Sequence, residues 1–141
     1  MPMLRKPRPL CANCQRPVSR PEKKYCNNRC QGEAEYKTWI ANWLAGKHNG
    51  LIAGITISRH IRRYLKETRG ERCEICGWAE VNPHSGTIPL HVDHIDGNWK
   101  NNRPENLRLL CPNHHSLEST YGSLNRGKGR PFVVQKKNIG E

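Results

Sequence analysis

The stretch that decides the fold is His91-Val92-Asp93-His94-Ile95-Asp96-Gly97-Asn98, read together with Asn106 and with Cys111-Pro112-Asn113-His114-His115. Asn106 follows His94 by twelve residues, and His115 follows Asn106 by nine. Leu90 to Ile95 reads as a first strand and Leu107-Arg108-Leu109-Leu110 as a second. Between them Asp96-Gly97-Asn98, Asn101-Asn102 and Pro104 make a long polar loop. A helix from Cys111 to about Ser119 should close the unit. Strand, loop, strand and helix in that order would bring Asp93, His94, Asn106 and His115 into one pocket. A carboxylate beside a neutral imidazole, with a second imidazole opposite, suits hydrolysis around one divalent metal.

Working outward, Arg72-Cys73-Glu74-Ile75-Cys76-Gly77-Trp78 has the form of a zinc knuckle, with Gly77 freeing its tight turn. Its partners should be Cys111 and His114, because Cys-x2-Cys with Cys-x2-His is a strong pattern for Zn²⁺. Upstream lie Cys11-x2-Cys14 and, after eleven residues, Cys26-x3-Cys30. Two such pairs can enclose a second tetrahedral Zn²⁺. A redox pair is the weaker reading, since no βαβ pattern surrounds the Cys-x2-Cys. The chain has seven Cys, so disulfides would leave one over. Ligand spacing, with no apparent export signal, points instead to a reducing, cytoplasmic setting. No apolar run is long enough to span a membrane.

Charge divides the 141 residues unevenly. Residues 1–30 carry eight Lys/Arg against one acid, residues 59–72 six against two, and residues 122–141 five against one. Residues 73–121 reverse the balance, with six acids against three bases. A net charge of +12 arranged around an acidic centre fits a polyanion binder that also holds a cation. Basic blocks flanking a metal site are the usual footprint of a nucleic-acid binder that meets mainly phosphates. The plain alternative is a soluble basic protein whose charges are merely solvated. Oligomeric state and target sequence are not legible.

Four segments follow: a zinc finger with an amphipathic helix over 1–46, a linker over 47–56, the catalytic unit over 57–130, and a basic tail over 131–141. Pro2, Pro7 and Pro9 make the first ten residues an extended arm. Tyr36, Trp39, Ile40, Trp43 and Leu44 fall on one helical face, with Gly46 as its stop. Trp39 and Trp43 read as core, with base stacking the alternative. Ser58 should cap a second helix that buries Ile61, Tyr64 and Leu65 and ends at Gly70. Arg59, Arg62, Arg63, Lys66 and Arg69 project from its other sides, where they can lie along phosphates. His48 and His84 read as exposed. His91 shares a strand face with Asp93 and is either an ordinary strand histidine or a contact to the site.

Asp93-His94-Ile95-Asp96-Gly97, Glu105-Asn106-Leu107-Arg108-Leu109-Leu110-Cys111 and His115 resemble the HNH endonuclease family, whose catalytic unit is a ββα-metal motif. The resemblance covers residues 73 to about 130. It extends to the tail Asn125-Arg126-Gly127-Lys128-Gly129-Arg130, whose Arg126, Lys128 and Arg130 join the candidate DNA contacts. The N-terminal knuckle is similar to small fingers at the front of many phage HNH proteins. The resemblance implies a small, zinc-stabilised α+β fold, treble-clef-like, and cleavage of DNA phosphodiesters to 5′-phosphate and 3′-hydroxyl ends. His94 matches the general base, Asp93 and His115 the protein ligands of the catalytic metal, and Asn106 the middle Asn that ties the loop and orients the base. Mg²⁺ suits the hard oxygen ligation, while the imidazole of His115 also admits Mn²⁺, Ni²⁺ or Co²⁺. His114 stands where many members have Cys. It is assigned to zinc, although the two adjacent histidines could exchange roles. The resemblance fits a phage-encoded nuclease, free-standing or homing. A rival reading is a zinc-stabilised module that binds DNA and cuts nothing.

Overall fold

The computed structural model describes residues 7–130. The tip of the expected N-terminal arm and the expected basic tail over 131–141 lie outside the described residues. The chain divides into two units, Met1–Lys47 and His48–Glu141.

The first unit is organised around four cysteines. Leu10 and Pro17 form an antiparallel bridge around the first knuckle. Gln15 takes a positive φ of 61° there, and its N–H donates to the Cys11 carbonyl. Helix α1 runs Asn28–Leu44, with the Asn27 side chain accepting from the Cys30 N–H at 2.8 Å. That cap places Cys30 in the first helical turn, facing Cys26. Cys11, Val18 and Cys30 are buried together, with Tyr25 packed against them. Further along α1, Tyr36, Ile40 and Trp43 are buried. Leu44 is not part of that face: it is 48% exposed, because burial steps i, i+4, i+7 and leaves the helix end in solvent.

The second unit begins with a feature the sequence does not announce. The stretch expected as a linker holds strands β1, Leu51–Ile52, and β2, Thr56–Ile57, paired antiparallel. Positive φ at Ala53 and Gly54 supplies the tight reversal. An alanine in that conformation is uncommon, which hides the turn from sequence reading. His48 is half-buried rather than exposed, and its Nδ1 accepts from the Gly50 N–H.

Ser58 caps helix α2, Arg59–Arg69, which stops at Gly70 with φ 84°. Ile61 and Leu65 are fully buried and Tyr64 half-buried. Helix α2 packs on strand β4, Leu107–Leu110, which pairs antiparallel with β3, His91–His94. The register sets Asp93 opposite Arg108 and His94 opposite Leu107. Strand β3 is shorter than expected by one residue at each end, because the Leu90 N–H turns back to Ile88 and the Gly97 N–H to His94. Helix α3 is Pro112–Leu117, with Cys111 as its N-cap, and it packs against both strands. Buried Leu107, Leu109 and Leu110 carry the apolar core of this small α+β unit. Truncating one such leucine to alanine costs about 2–5 kcal/mol.

Arg69 is used inside the fold rather than on a basic face. Its guanidinium donates to the carbonyls of Pro104, at 2.6 Å, and of Leu107, and pairs with Glu74 at 3.4 Å. Glu74 in turn accepts from the Leu109 N–H. One arginine and one glutamate thereby stitch the second knuckle to the edge of β4.

Candidate metal centres and active site

Two groups of side chains could each hold a metal ion: Cys11, Cys14, Cys26 and Cys30, and Cys73, Cys76, Cys111 and His114. Within each group the ligand atoms lie within 4.8 Å of one another. In the first, Cys14 and Cys26 sulfurs are 3.6 Å apart and Cys26 and Cys30 sulfurs 3.4 Å. A tetrahedral zinc with Zn–S near 2.3 Å would hold its sulfurs about 3.7 Å apart, so the donor set has the right size. In the second, His114 Nδ1 lies 3.3 Å from the Cys111 sulfur and 3.7 Å from that of Cys73. Burial raises the Cys11 thiol, but the backbone N–H groups of Cys14, Asn13 and Cys26 outweigh it and bring it down to about 6. Cys73 is brought to about 6 in the same way, burial being outweighed by the N–H groups of Cys111, Cys76 and Ile75. The clusters are not uniform: Cys30 beside it pushes the Cys26 thiol up to about 12, and Cys76 is raised as well, as expected where several thiols crowd together.

The second constellation spans β3, β4 and α3. Asp93 is buried, and its Oδ2 accepts from Arg108 Nε at 2.8 Å. Its Oδ1 faces His115 Nε2 at 4.0 Å, too far for a hydrogen bond. One carboxylate oxygen and one ring nitrogen thus lie near each other without a hydrogen bond between them, a pair that could share a divalent cation. The adjacent histidines separate: Nδ1 of His114 sits among the cysteine sulfurs, while His115 looks toward Asp93.

The ring of His115 is held on two sides. His91 stacks on it, with centroids 4.8 Å apart and planes 19° apart, and Tyr121 meets it edge-on at 5.3 Å. Burial first, then the charges of His115 and Arg62, hold His91 below the usual imidazole value. Arg108 also reaches Glu118, Nη2 to Oε2 at 2.6 Å, so its guanidinium spans Asp93 and the end of α3.

Asn106 ties the loop between the strands. Its Nδ2 donates to Asp96 Oδ1 at 2.9 Å and to the Asn101 carbonyl at 2.8 Å, and its Oδ1 accepts from the Asp96 N–H. Asp96 also accepts from Asn101 Nδ2 and the Asn98 N–H. Burial raises the Asp96 carboxyl, but these donors and nearby His94 bring it below the ordinary carboxylate value. The loop is clamped from outside as well: Asn125 Nδ2 donates to the Gly97 carbonyl at 2.6 Å.

The expected base, His94, hydrogen-bonds to neither Asp93 nor Asn106. Its Nε2 lies 2.7 Å from Oδ1 of Asn102. The resemblance gives the orienting role to Asn106; several asparagines lie between the strands, and spacing alone does not tell which one reaches the His94 ring. Sequence reading also passes over Arg108, Glu118 and Tyr121. Only Arg108 carries a signal, as the one charge inside an otherwise apolar strand.

The candidate DNA contacts fall in two places. Arg59, Arg62, Arg63 and Lys66 line one groove between α2 and the start of β3. Two of them are already paired, Arg63 with Glu67 at 2.7 Å and Lys66 with Glu71 at 2.5 Å. Lys128 lines a cleft with Trp99 and Lys100, and Arg126 and Arg130 are exposed beside it in sequence.

The site is thus a two-stranded hairpin closed by a helix, with a carboxylate and an imidazole facing each other and a histidine next to the carboxylate. Residues 81–117 match the profile of the HNH endonuclease family. The chain is also similar to the H-N-H endonuclease F-TflIV of Escherichia phage T5, with 43% identity over 60 residues covering 40% of this chain and 24% of that one. The match therefore spans about a quarter of that relative's length. No solved structure matches the chain.

Proposed function

We propose that this protein is a metal-dependent DNA endonuclease. The observation that carries the reading is the pair Asp93 Oδ1 and His115 Nε2, facing each other at 4.0 Å inside the HNH segment with His94 next in the chain. Bound between Asp93 and His115, a divalent cation, Mg²⁺ or one of Mn²⁺, Ni²⁺ and Co²⁺, would supply Lewis-acid stabilisation of the charge building on the phosphate and the leaving oxygen.

The protein's own groups do the rest. His94 takes the proton of the attacking water, a role that an imidazole can fill. Asp93 is buried and held by Arg108, so its second oxygen stays directed at the cation site. Asn106 and Asp96 keep the loop closed beneath the scissile phosphate. The P–O3′ bond breaks, leaving 5′-phosphate and 3′-hydroxyl ends. The α2 groove and the residues 126–130 hold the flanking phosphates, which position the duplex without reading its sequence. The two Cys-rich groups hold structural Zn²⁺. All seven cysteines fall in these two ligand clusters rather than in disulfides, which suits a reducing setting. Among the described residues no helix is long and apolar enough to cross a membrane. Similarity to a phage enzyme supports a phage-encoded nuclease, free-standing or homing.

A second reading, a DNA-binding module without catalysis, draws on the Arg108–Asp93 pair, which satisfies the carboxylate without a cation. Supercoiled plasmid incubated with the protein and Mg²⁺ or Mn²⁺ decides between them. Nicked or linear product abolished by EDTA is expected. Intact plasmid across metals and pH would favour the binding module.

A further inference from the structure

We infer that Asn102 is the positioning residue for His94, holding its ring as the Nε2–H tautomer so that Nδ1 is the nitrogen that accepts a proton. The inference rests on the nuclease reading for the word base, but the pairing itself stands on geometry. Asn102 is 3% exposed and lies in the polar loop between the two strands. Its Oδ1 is 2.7 Å from His94 Nε2, while its Nδ2 donates to the Lys100 carbonyl at 3.4 Å. The second contact, though long, favours this orientation of the amide. Turned over, the amide would set its oxygen toward the Lys100 carbonyl oxygen, two acceptors facing each other with no proton between.

With Oδ1 toward the ring, Nε2 must be the donor. A neutral imidazole carries one N–H, so Nδ1 keeps its lone pair. The choice of nitrogen matters because only a lone pair aimed at the attacking water can take its proton. A ring free to exchange tautomers would present a useless N–H part of the time. Asn suits this task better than a carboxylate, since it accepts the hydrogen bond without placing a negative charge against the ring.

The test combines nitrogen NMR with kinetics on the full, zinc-loaded chain. The His94 signal is identified by its disappearance in His94→Gln. In the unsubstituted protein near pH 8, His94 should show Nε2 protonated and Nδ1 unprotonated. Asn102→Ala should give a mixture of tautomers and lower kcat 10- to 100-fold, with KM for plasmid and Mn²⁺ affinity unchanged. An unchanged far-ultraviolet circular dichroism spectrum and zinc content in Asn102→Ala guard against a folding defect in that variant. A protonated Nδ1 in the unsubstituted protein, or a single Nε2–H tautomer surviving in Asn102→Ala, would overturn the assignment. Intact plasmid together with the expected tautomers would instead overturn the nuclease reading and leave the pairing in place.

Discussion

At the scale of single residues, the site turns on which atom each polar side chain faces. Asp93 is shared between Arg108, 2.8 Å from one oxygen, and His115, 4.0 Å from the other. Partners of this kind orient a ligating carboxylate, and losing one typically weakens metal binding about 10- to 100-fold. Arg108→Met should therefore weaken Mn²⁺ binding by that order in isothermal titration. Tighter binding would mean that Arg108 competes with the cation for Asp93. The histidines separate by experiment too. His94→Ala should slow cleavage by about 10²–10⁴ and leave DNA affinity intact. His115→Ala should lower activity and keep both zincs, whereas His114→Ala should lose one zinc by native mass spectrometry. The reverse outcome for 114 and 115 would exchange their roles.

At the scale of elements, the loop between β3 and β4 is the part most exposed to a single change. Gly97 has φ 71°, and a Cβ there would lie 2.5 Å from Asn125 Oδ1 and 2.7 Å from Thr120 Cγ2. Gly97→Ala should lower stability by at least the left-handed penalty of about 1–2 kcal/mol, seen as a reduced Tm. Asp96 anchors the same loop, with a carboxyl held below its ordinary value by Asn and backbone donors. A depressed folded value means the unfolded chain binds the proton more readily. The stabilisation is then complete above the ordinary value of 3.8 and is lost as pH falls below it toward the lower folded value. Asp96→Asn should be the less stable protein at neutral pH, with the difference narrowing below about pH 4 in acid titrations followed by circular dichroism.

For the whole molecule, the two ligand clusters and the basic segments set what holds and what steers. Cys73 and Cys111 are buried with Leu110, so the second cluster is also part of the core. Chelation should unfold the second unit, since metal binding and folding are one free energy in a domain this small. Two Zn per chain are expected, and Cys11→Ser should remove one. Deleting residues 1–47, which carry a surplus of Lys and Arg, should reduce the salt slope of DNA binding by about one for each phosphate that unit neutralises. An unchanged slope would leave that unit a role other than phosphate binding.

Local chemistry makes much of this legible in the sequence. Ser58 and Gly70 bracket α2 because a hydroxyl cap and a positive-φ glycine act within a few residues of themselves. Leu107–Leu110 reads as a strand from its apolar run. The paired cysteines announce clusters because ligand spacing is set by one turn of chain. Contacts between distant segments are another matter. That Asp93 faces Arg108 depends on strand register, which neither strand contains alone. That Arg69 serves the Pro104 and Leu107 carbonyls rather than a phosphate depends on where α2 lies along β4. The choice of Asn102 over Asn106 as the partner of His94 is likewise decided by the path of a loop, in which several asparagines have the same chemistry, Asn102 and Asn106 are both buried, and only folding brings one of them to the ring.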